Sequence, residues 1–532
     1  MELLISVLAV KRRSGSIYEE SIPPFSSFCK DHSIFSTVCV SLKNFTPQYG
    51  PVYLASLCKQ SFKFEIIVAK FTNICYTISV WIGASVKNSK IRKTERPVAH
   101  ARPAGGLMEQ TVYQQYLSLL RQELIPAMGC TEPIALAYCA AAAWNTAGGG
   151  GPELADRIEV TVSGNIIKNV KSVIVPNTGG LRGIETAVAA GIISGQRDKQ
   201  LEVLAALEPE QQAQIRTLLD RRIIRVQPAQ NDELLYIEIR LLRTDGVTTR
   251  AIVQGHHTNL TLLERDGVPL LQGSRQEDRQ AHTHSLSVQE IYDFAQEADP
   301  RDLEPLVGRQ IDCNLAIAQA GMEGSWGANV GQTLREVYGE DVRFLARAYA
   351  AAGSDARMSG CEMPVIIVSG SGNQGITASV PVAIYAQAMG IGRERLLRAV
   401  ALADLVTVHQ KAGIGCLSAF CGATCAGCGA GAGIAYLLGG DYKAVAHTIV
   451  NALAVVSGMV CDGAKPSCAA KISSAIDAGI LGYELYCRGQ EFLDGDGIIR
   501  KGVDNTIGNV GRMARSGMRE TDRVILDIMC GC

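Results

Sequence analysis

Three cysteines in two separated stretches carry the clearest chemistry in this sequence. Cys461 and Cys468 stand in Ser457-Gly-Met-Val-Cys-Asp-Gly-Ala-Lys-Pro-Ser-Cys468, across a turn at Asp462-Gly463 and a helix start at Pro466-Ser467. Cys421 lies forty residues upstream of Cys461, in Leu417-Ser-Ala-Phe-Cys-Gly-Ala-Thr424. Three thiols can bind three irons of a cubane iron-sulfur cluster and leave the fourth iron open as a Lewis acid, which points to chemistry rather than electron transfer. Spacing alone also allows all three to be small buried hydrophobes, the usual fate of free cysteine, and Cys-x6-Cys is not a common ferredoxin spacing.

Cys421, Cys425 and Cys428 match the spacing by which radical S-adenosylmethionine enzymes hold their cluster. Here the run falls inside an expected helix with 104 residues after Cys428, too few for a barrel of roughly 200. Positions i, i+4 and i+7 share a helix face, so Cys425 and Cys428 read as packing. Cys130 sits just ahead of Thr131-Glu-Pro133, which reads as an N-cap, an acidic first turn and an early proline. A thiol at a helix N-terminus is biased toward thiolate, so Cys130 is a candidate base, sulfur carrier or cluster ligand.

Ser369, Gly370, Ser371, Gly372, Asn373 and Gln374 form a glycine-rich turn that opens the helical pattern Thr377 to Met389. Such a turn offers backbone amides to an anion. It lacks the Gly-Lys-Ser/Thr ending of a phosphate loop, and a small carboxylate is the better-sized guest. Arg357, just upstream in Ser354-Asp-Ala-Arg357, has the forked guanidinium that grips a carboxylate. His257, in Gly255-His-His-Thr-Asn259, can supply proton transfer.

The elements that must position these residues divide the chain into three. Residues 1–107 carry 14 Lys+Arg against 6 Asp+Glu, while the other 425 carry 37 against 46; the leader holds 12 of the 30 aromatics and 5 of the 54 glycines, with no persistent period. It reads as an atypical basic stretch outside the functional fold, with Met108 as the natural start. Residues 108–285 read as an α+β domain. Helical spacing runs from Tyr113 to Met128, and a second helix continues to about Trp144. Strands are expected at 157–162, 172–175, 234–242, 248–253, 260–264 and 268–272, with a helix broken at Pro209 between them. Residues 286–532 read as a mainly helical, Gly/Ala-rich domain carrying the cysteines. The fold class is therefore α+β: a small, mostly antiparallel sheet followed by helices.

With 47% hydrophobic and 19% charged residues and a net charge of −1, the chain is a globular protein with no basic surplus to draw nucleic acid. The apolar start places its basic residues after the apolar run, unlike an export signal, and the uncharged stretch 71–86 is too short to span a bilayer. Seventeen cysteines without an export signal fit reduced thiols, so a cytoplasmic location without a membrane partner is expected. A homo-oligomer is compatible with the sequence.

Taken together, Gly129-Cys-Thr-Glu-Pro133, His257-Thr-Asn259, Ser354-Asp-Ala-Arg357, Ser369 to Thr377, Leu417 to Cys421 and Ser457 to Gly463 with Cys468 resemble the L-cysteine desulfidase family. That family is related to the α-chain domain of iron-sulfur L-serine dehydratases. The resemblance runs from about Met108 to Met529. It implies a 4Fe-4S cluster held by Cys421, Cys461 and Cys468, no pyridoxal phosphate, and a small amino-acid substrate. The reaction it implies is α,β-elimination of L-cysteine to pyruvate, ammonia and sulfide, with Cys130 or His257 taking the α-proton. His256 stands where the family pattern has glycine, which leaves the choice of base open. The competing expectations are an L-serine dehydratase with the same cluster and, outside enzymes, a cluster-bearing sensor or an amino-acid-binding protein. Protein begun at Met108 is expected to fold and keep the activity of the full chain, measured as sulfide, ammonia and pyruvate released anaerobically. Loss of activity in that protein would return the leader to the functional fold.

Overall fold

The computed structural model describes residues 108–530 apart from 232, 274–285 and 416, and the basic leader lies outside them. Residues 106–532 form one compact unit that contains both the sheet region and the helical region. Helix α1 (Gln110–Glu123) buries Tyr116, Leu117, Leu119 and Leu120. The helical period expected through Met128 stops at Glu123, because Pro126 lacks an amide and disfavours helical geometry at Ile125. Strand β1 (Pro126–Met128) pairs antiparallel with Pro364–Ile366 instead. Gly129 then turns the chain at φ 69° beneath Pro176, where a side chain has neither the backbone freedom nor the space.

Helix α2 (Thr131–Thr146) follows and is buried from Thr131 to Trp144. Its N-cap is Cys130, with no capping side chain; the expected cap, Thr131, is the first helical residue and sends its hydroxyl to the Gly370 carbonyl at 3.0 Å. The sheet comprises β2 (Ala155–Val162), β3 (Ile224–Pro228), β4 (Tyr236–Arg243), β5 (Thr248–Gln254), β6 (Leu260–Arg265) and β7 (Val268–Gln272), in the order β3-β2-β4-β5-β6-β7. β2 and β3 run parallel and every other neighbouring pair is antiparallel. Alanines on α2 allow it to lie flat on this sheet, where Thr249 Oγ1 donates to the Ala143 carbonyl at 3.1 Å. Helices α3 (Gly164–Val170), α4 (Ile184–Ser194) and α5 (Pro209–Asp220) fill the crossover from β2 to β3.

Two sheet expectations change. Residues 172–175 make only an isolated bridge, Ile174 to Arg182, because the run is short and Pro176 ends it. β3 was not expected, since its Ile224 and Val226 alternate over only five residues and are half-buried.

Beyond residue 286 the chain is helical save for β8 (Pro364–Ile366). Helices α6 (Val288–Glu297), α7 (Arg309–Glu323), α8 (Val330–Tyr338) and α9 (Val342–Met358) precede β8. After it come α10 (Gly372–Met389), α11 (Arg393–Ile414), α12 (Gly422–Leu437), α13 (Tyr442–Val456), α14 (Cys468–Cys487), α15 (Val503–Arg512) and α16 (Arg519–Cys530). Among the described residues no helix is long and apolar enough to cross a membrane.

Helix α12 is the axis of this half, buried from Ala423 to Leu437. Its glycines let neighbours approach on two faces: Gly427 and Gly431 meet Ala475 and Gly479 of α14, and Gly429 and Gly433 meet the Ala403 and Ala399 carbonyls of α11. A Cβ on Gly431 would lie 2.7 Å from the Gly479 Cα, so backbone touches backbone. Gly431→Val should therefore cost about 1–3 kcal/mol by overpacking and lower the thermal midpoint. Gly458→Ala, at a position with open space around it, should leave the midpoint unchanged.

Candidate active site

One cavity collects most of the residues that the sequence singled out. Cys130, Arg357, Gln374, Cys421, Cys461 and Cys468 all line it, together with Gly370, Ser371 and Asn373 of the glycine-rich turn. Four helix starts point at it: α2 behind Cys130, α10 behind Ser371, α12 behind Cys421, and α14, whose first residue is Cys468. Each contributes unsatisfied amides and the positive end of its dipole, so the cavity favours anions. Lys411 and Lys471 also line it.

Backbone pairing between two loops brings the first two thiols together. The Cys421 amide donates to the Met459 carbonyl at 3.0 Å, the Cys461 amide donates to the Ala419 carbonyl at 2.6 Å, and Phe420 bridges Val460. The contact with Cys421, aided by the charges of Lys168 and Lys471, holds the Cys461 thiol below the usual range. The same contact, together with burial, raises Cys421. Cys468 is raised by burial, and its sulfur faces the Gly463 carbonyl at 3.8 Å. Lys168 is itself buried and bonded to Asp522 of α16 at 2.5 Å, so α16 holds one of these cations in place.

Among the described residues no group of three or more His, Cys, Asp or Glu side chains is arranged to hold a metal ion. The three thiols line a wall rather than close on a point. A wall of three sulfurs flanked by cations suits a multi-iron cluster, which is wider than one ion and carries negative charge. Cys425 and Cys428 point into the packed interior and are fully buried; burial raises the Cys425 thiol to about 11. Neither lines the cavity, as their shared helix face led one to expect.

Cys130 packs with Val173 and Met358, and Cys468 rests against this small group. The thiolate bias expected from the helix dipole is outweighed. Burial raises the Cys130 thiol, and so does the neighbouring Glu132 charge, against a smaller opposite effect of Arg357. Cys130 Sγ donates to Glu132 Oε2 at 3.1 Å. Glu132, which sequence reasoning took for a helix-start acid, is thus a site residue; the only signal was its place inside the Cys130 motif. Its other partners are Thr131 Oγ1 at 3.0 Å and Asn169 Nδ2 at 3.2 Å. Burial alone would raise this carboxyl, but His257 and the Cys130 bond lower it to about 2. His257 Nε2 stands 4.0 Å from Glu132 Oε1, beyond hydrogen-bond reach. His257 is buried beside Gly370 and stands behind Glu132 rather than on the cavity wall.

Arg357 is 2% exposed, yet its Nε and Nη2 have no partner among the described residues. Its Nη1 donates to Asn373 Oδ1 at 3.0 Å, and its side chain lies on Gly372, where any Cβ would collide with it. A buried guanidinium with idle donors is costly unless an anion completes it. The turn contributes fewer amides than expected. The Ser369 amide is taken by Glu123 at 3.0 Å and that of Ser371 by the Val368 carbonyl at 3.0 Å. Neither Ser369 nor Gly372 lines the cavity. Within the same motif as Arg357, Asp355 turns away and accepts from the Gly331 amide at the start of α8.

A family model described as serine dehydratase alpha chain matches residues 198–527. A UPF0597 protein of Desulfitobacterium hafniense is 52% identical over 421 residues, covering 78% of this chain and 96% of its own length. UPF0597 proteins of Lachnoclostridium phytofermentans (44%; 79% of this chain, 100% of theirs) and Treponema denticola (41%; 79% and 99%) are similar throughout.

Single Ser replacements of Cys421, Cys461 or Cys468 are expected to remove most iron from anaerobically reconstituted protein, read as iron per chain and visible absorption. Cys425→Ala and Cys428→Ala should keep the iron while costing about 1 kcal/mol of stability each as small core truncations.

Proposed function

The chain belongs to the serine dehydratase alpha-chain family, and from that premise we propose that it is an iron-sulfur lyase that breaks L-cysteine into pyruvate, ammonia and sulfide without pyridoxal phosphate. The observation that carries this reading is the buried Arg357, with two unpartnered nitrogens, in the same cavity as the thiols of Cys421, Cys461 and Cys468. A 4Fe-4S cluster held by those three cysteines would supply an open Lewis-acid iron with high affinity for the sulfur that must leave.

The chain's own residues do the rest. Arg357 Nε and Nη2 grip the α-carboxylate, and Asn373 fixes the guanidinium plane. The Cys130 sulfur is the group on the wall that exchanges a proton with Cα. It is held as a thiol in the substrate-free cavity, its proton hydrogen-bonded to Glu132 Oε2, so it serves as the base only once that proton has left. Loss of the α-proton and of sulfide leaves aminoacrylate, which takes up water to give pyruvate and ammonia. The family description favours a second reading, in which L-serine loses water from the same cavity.

Sulfide from L-cysteine against pyruvate from L-serine, measured anaerobically, separates the two readings. Arg357→Gln should lower kcat/KM by about 10²-fold or more, as two charge-assisted hydrogen bonds are lost. Arg357→Lys should recover only part of that, because it lacks the fork. Full activity of iron-free protein in the presence of chelator would sink the lyase reading as stated.

A further inference from the structure

Arg357 is not the only unfinished group in the cavity wall. Gln374 is 4% exposed, its Oε1 is buried, and no donor among the described residues reaches that oxygen. Leaving a buried acceptor idle costs free energy, so a wall that keeps one is shaped for a donor that arrives with the ligand. The amide of Gln374 lies over the Cα of Gly422, where a Cβ would sit 2.8 Å from Cδ. That places the acceptor one residue from Cys421. It is also one residue from Asn373, which clamps Arg357, so idle donors and an idle acceptor lie within one turn of the start of α10.

Donors for a carboxylate and an acceptor for an ammonium, set side by side, match the two charged substituents of a single amino-acid Cα. Glu132, a further acceptor on the wall, is already engaged: Oε2 receives Cys130 and Oε1 receives Asn169. We propose that the side-chain carbonyl of Gln374 binds the substrate's α-ammonium, so that the cavity selects 2-amino acids over 2-hydroxy and unsubstituted acids of the same length. This rests on Arg357 holding the carboxylate, as in the function proposed above. With carboxylate and ammonium fixed, the β-substituent of one enantiomer is directed toward the wall of Cys421, Cys461 and Cys468.

The test uses ligands with no leaving group, on anaerobically purified full-length protein, by calorimetric titration with L-alanine, L-lactate and propionate. Wild type should bind L-alanine about 10-fold or more tighter than either acid, the equivalent of one hydrogen bond to a charged group. In Gln374→Leu the three affinities should converge, with propionate changed less than about twofold, whereas Arg357→Gln should weaken all three alike. Should the leucine variant not fold, Gln374→Glu takes its place and is expected to widen the preference for L-alanine. No preference in wild type, or a ratio unmoved by either Gln374 variant, overturns the proposal. A clear preference for L-alanine in protein that releases neither sulfide from cysteine nor pyruvate from serine would leave the ammonium site standing and remove the lyase reading.

Discussion

The cavity depends on how closely α12 and α14 can approach. Cys421 caps α12 and Cys468 begins α14, so the distance between those two sulfurs is set by helix packing rather than by loop conformation. Glycine and alanine at 427, 431, 475 and 479 remove the side chains that normally hold helices 8–10 Å apart and let the backbones touch. Cys461 is then added by a loop that pairs, amide to carbonyl, with the residues just before α12. Such packing gains its energy from many short contacts and tolerates no added methyl group, which makes the thiol wall rigid.

The same packing has an electrostatic consequence. Bringing α2, α10, α12 and α14 to one point by their N-termini concentrates positive dipole ends, to which Arg357, Lys168 and Lys471 add full charges, the two lysines being paired with Asp522 and Asp462. The helix ends and the idle nitrogens of Arg357 leave part of that potential for further negative charge. Glu132 supplies one fixed carboxylate, held ionised by His257 and by its hydrogen bonds. Thiolates and the carboxylate of a substrate are the natural complement for the remainder.

Much of this was legible in the chain. Strand patterning located β2 and β4 to β7. The motifs around Cys421, Cys461, Arg357 and Gln374 marked residues that do share one cavity. What escaped reading was set by tertiary partners. Glu132 looks like any acid in a first helical turn, and only burial between Cys130 and His257 distinguishes it. Ser369 belongs to a turn of the right composition, but its amide is claimed by Glu123 from 246 residues away in sequence. Thr131 has the type of an N-cap, yet the left-handed turn at Gly129 shifts the helix start so that Cys130 takes that position. Local propensity names the residue types at a helix start and cannot say which neighbour will compete for them.

That competition also separates the four cavity cysteines by role. A helix presents only its terminal residues to a ligand lying beyond its end, so Cys425 and Cys428, deeper in α12, cannot reach where Cys421 does. Cys130 and Cys421 hold equivalent N-cap positions, and helix geometry alone would make both ligands. Their partners differ. Cys421 lies against another cysteine in the field of two lysines, an arrangement suited to binding metal by displacing protons. Cys130 faces a buried carboxylate that accepts its thiol proton in a hydrogen bond. A sulfur whose neighbour is a proton acceptor is suited to exchanging protons with substrate, and a sulfur whose neighbours are a second sulfur and cations is suited to binding metal.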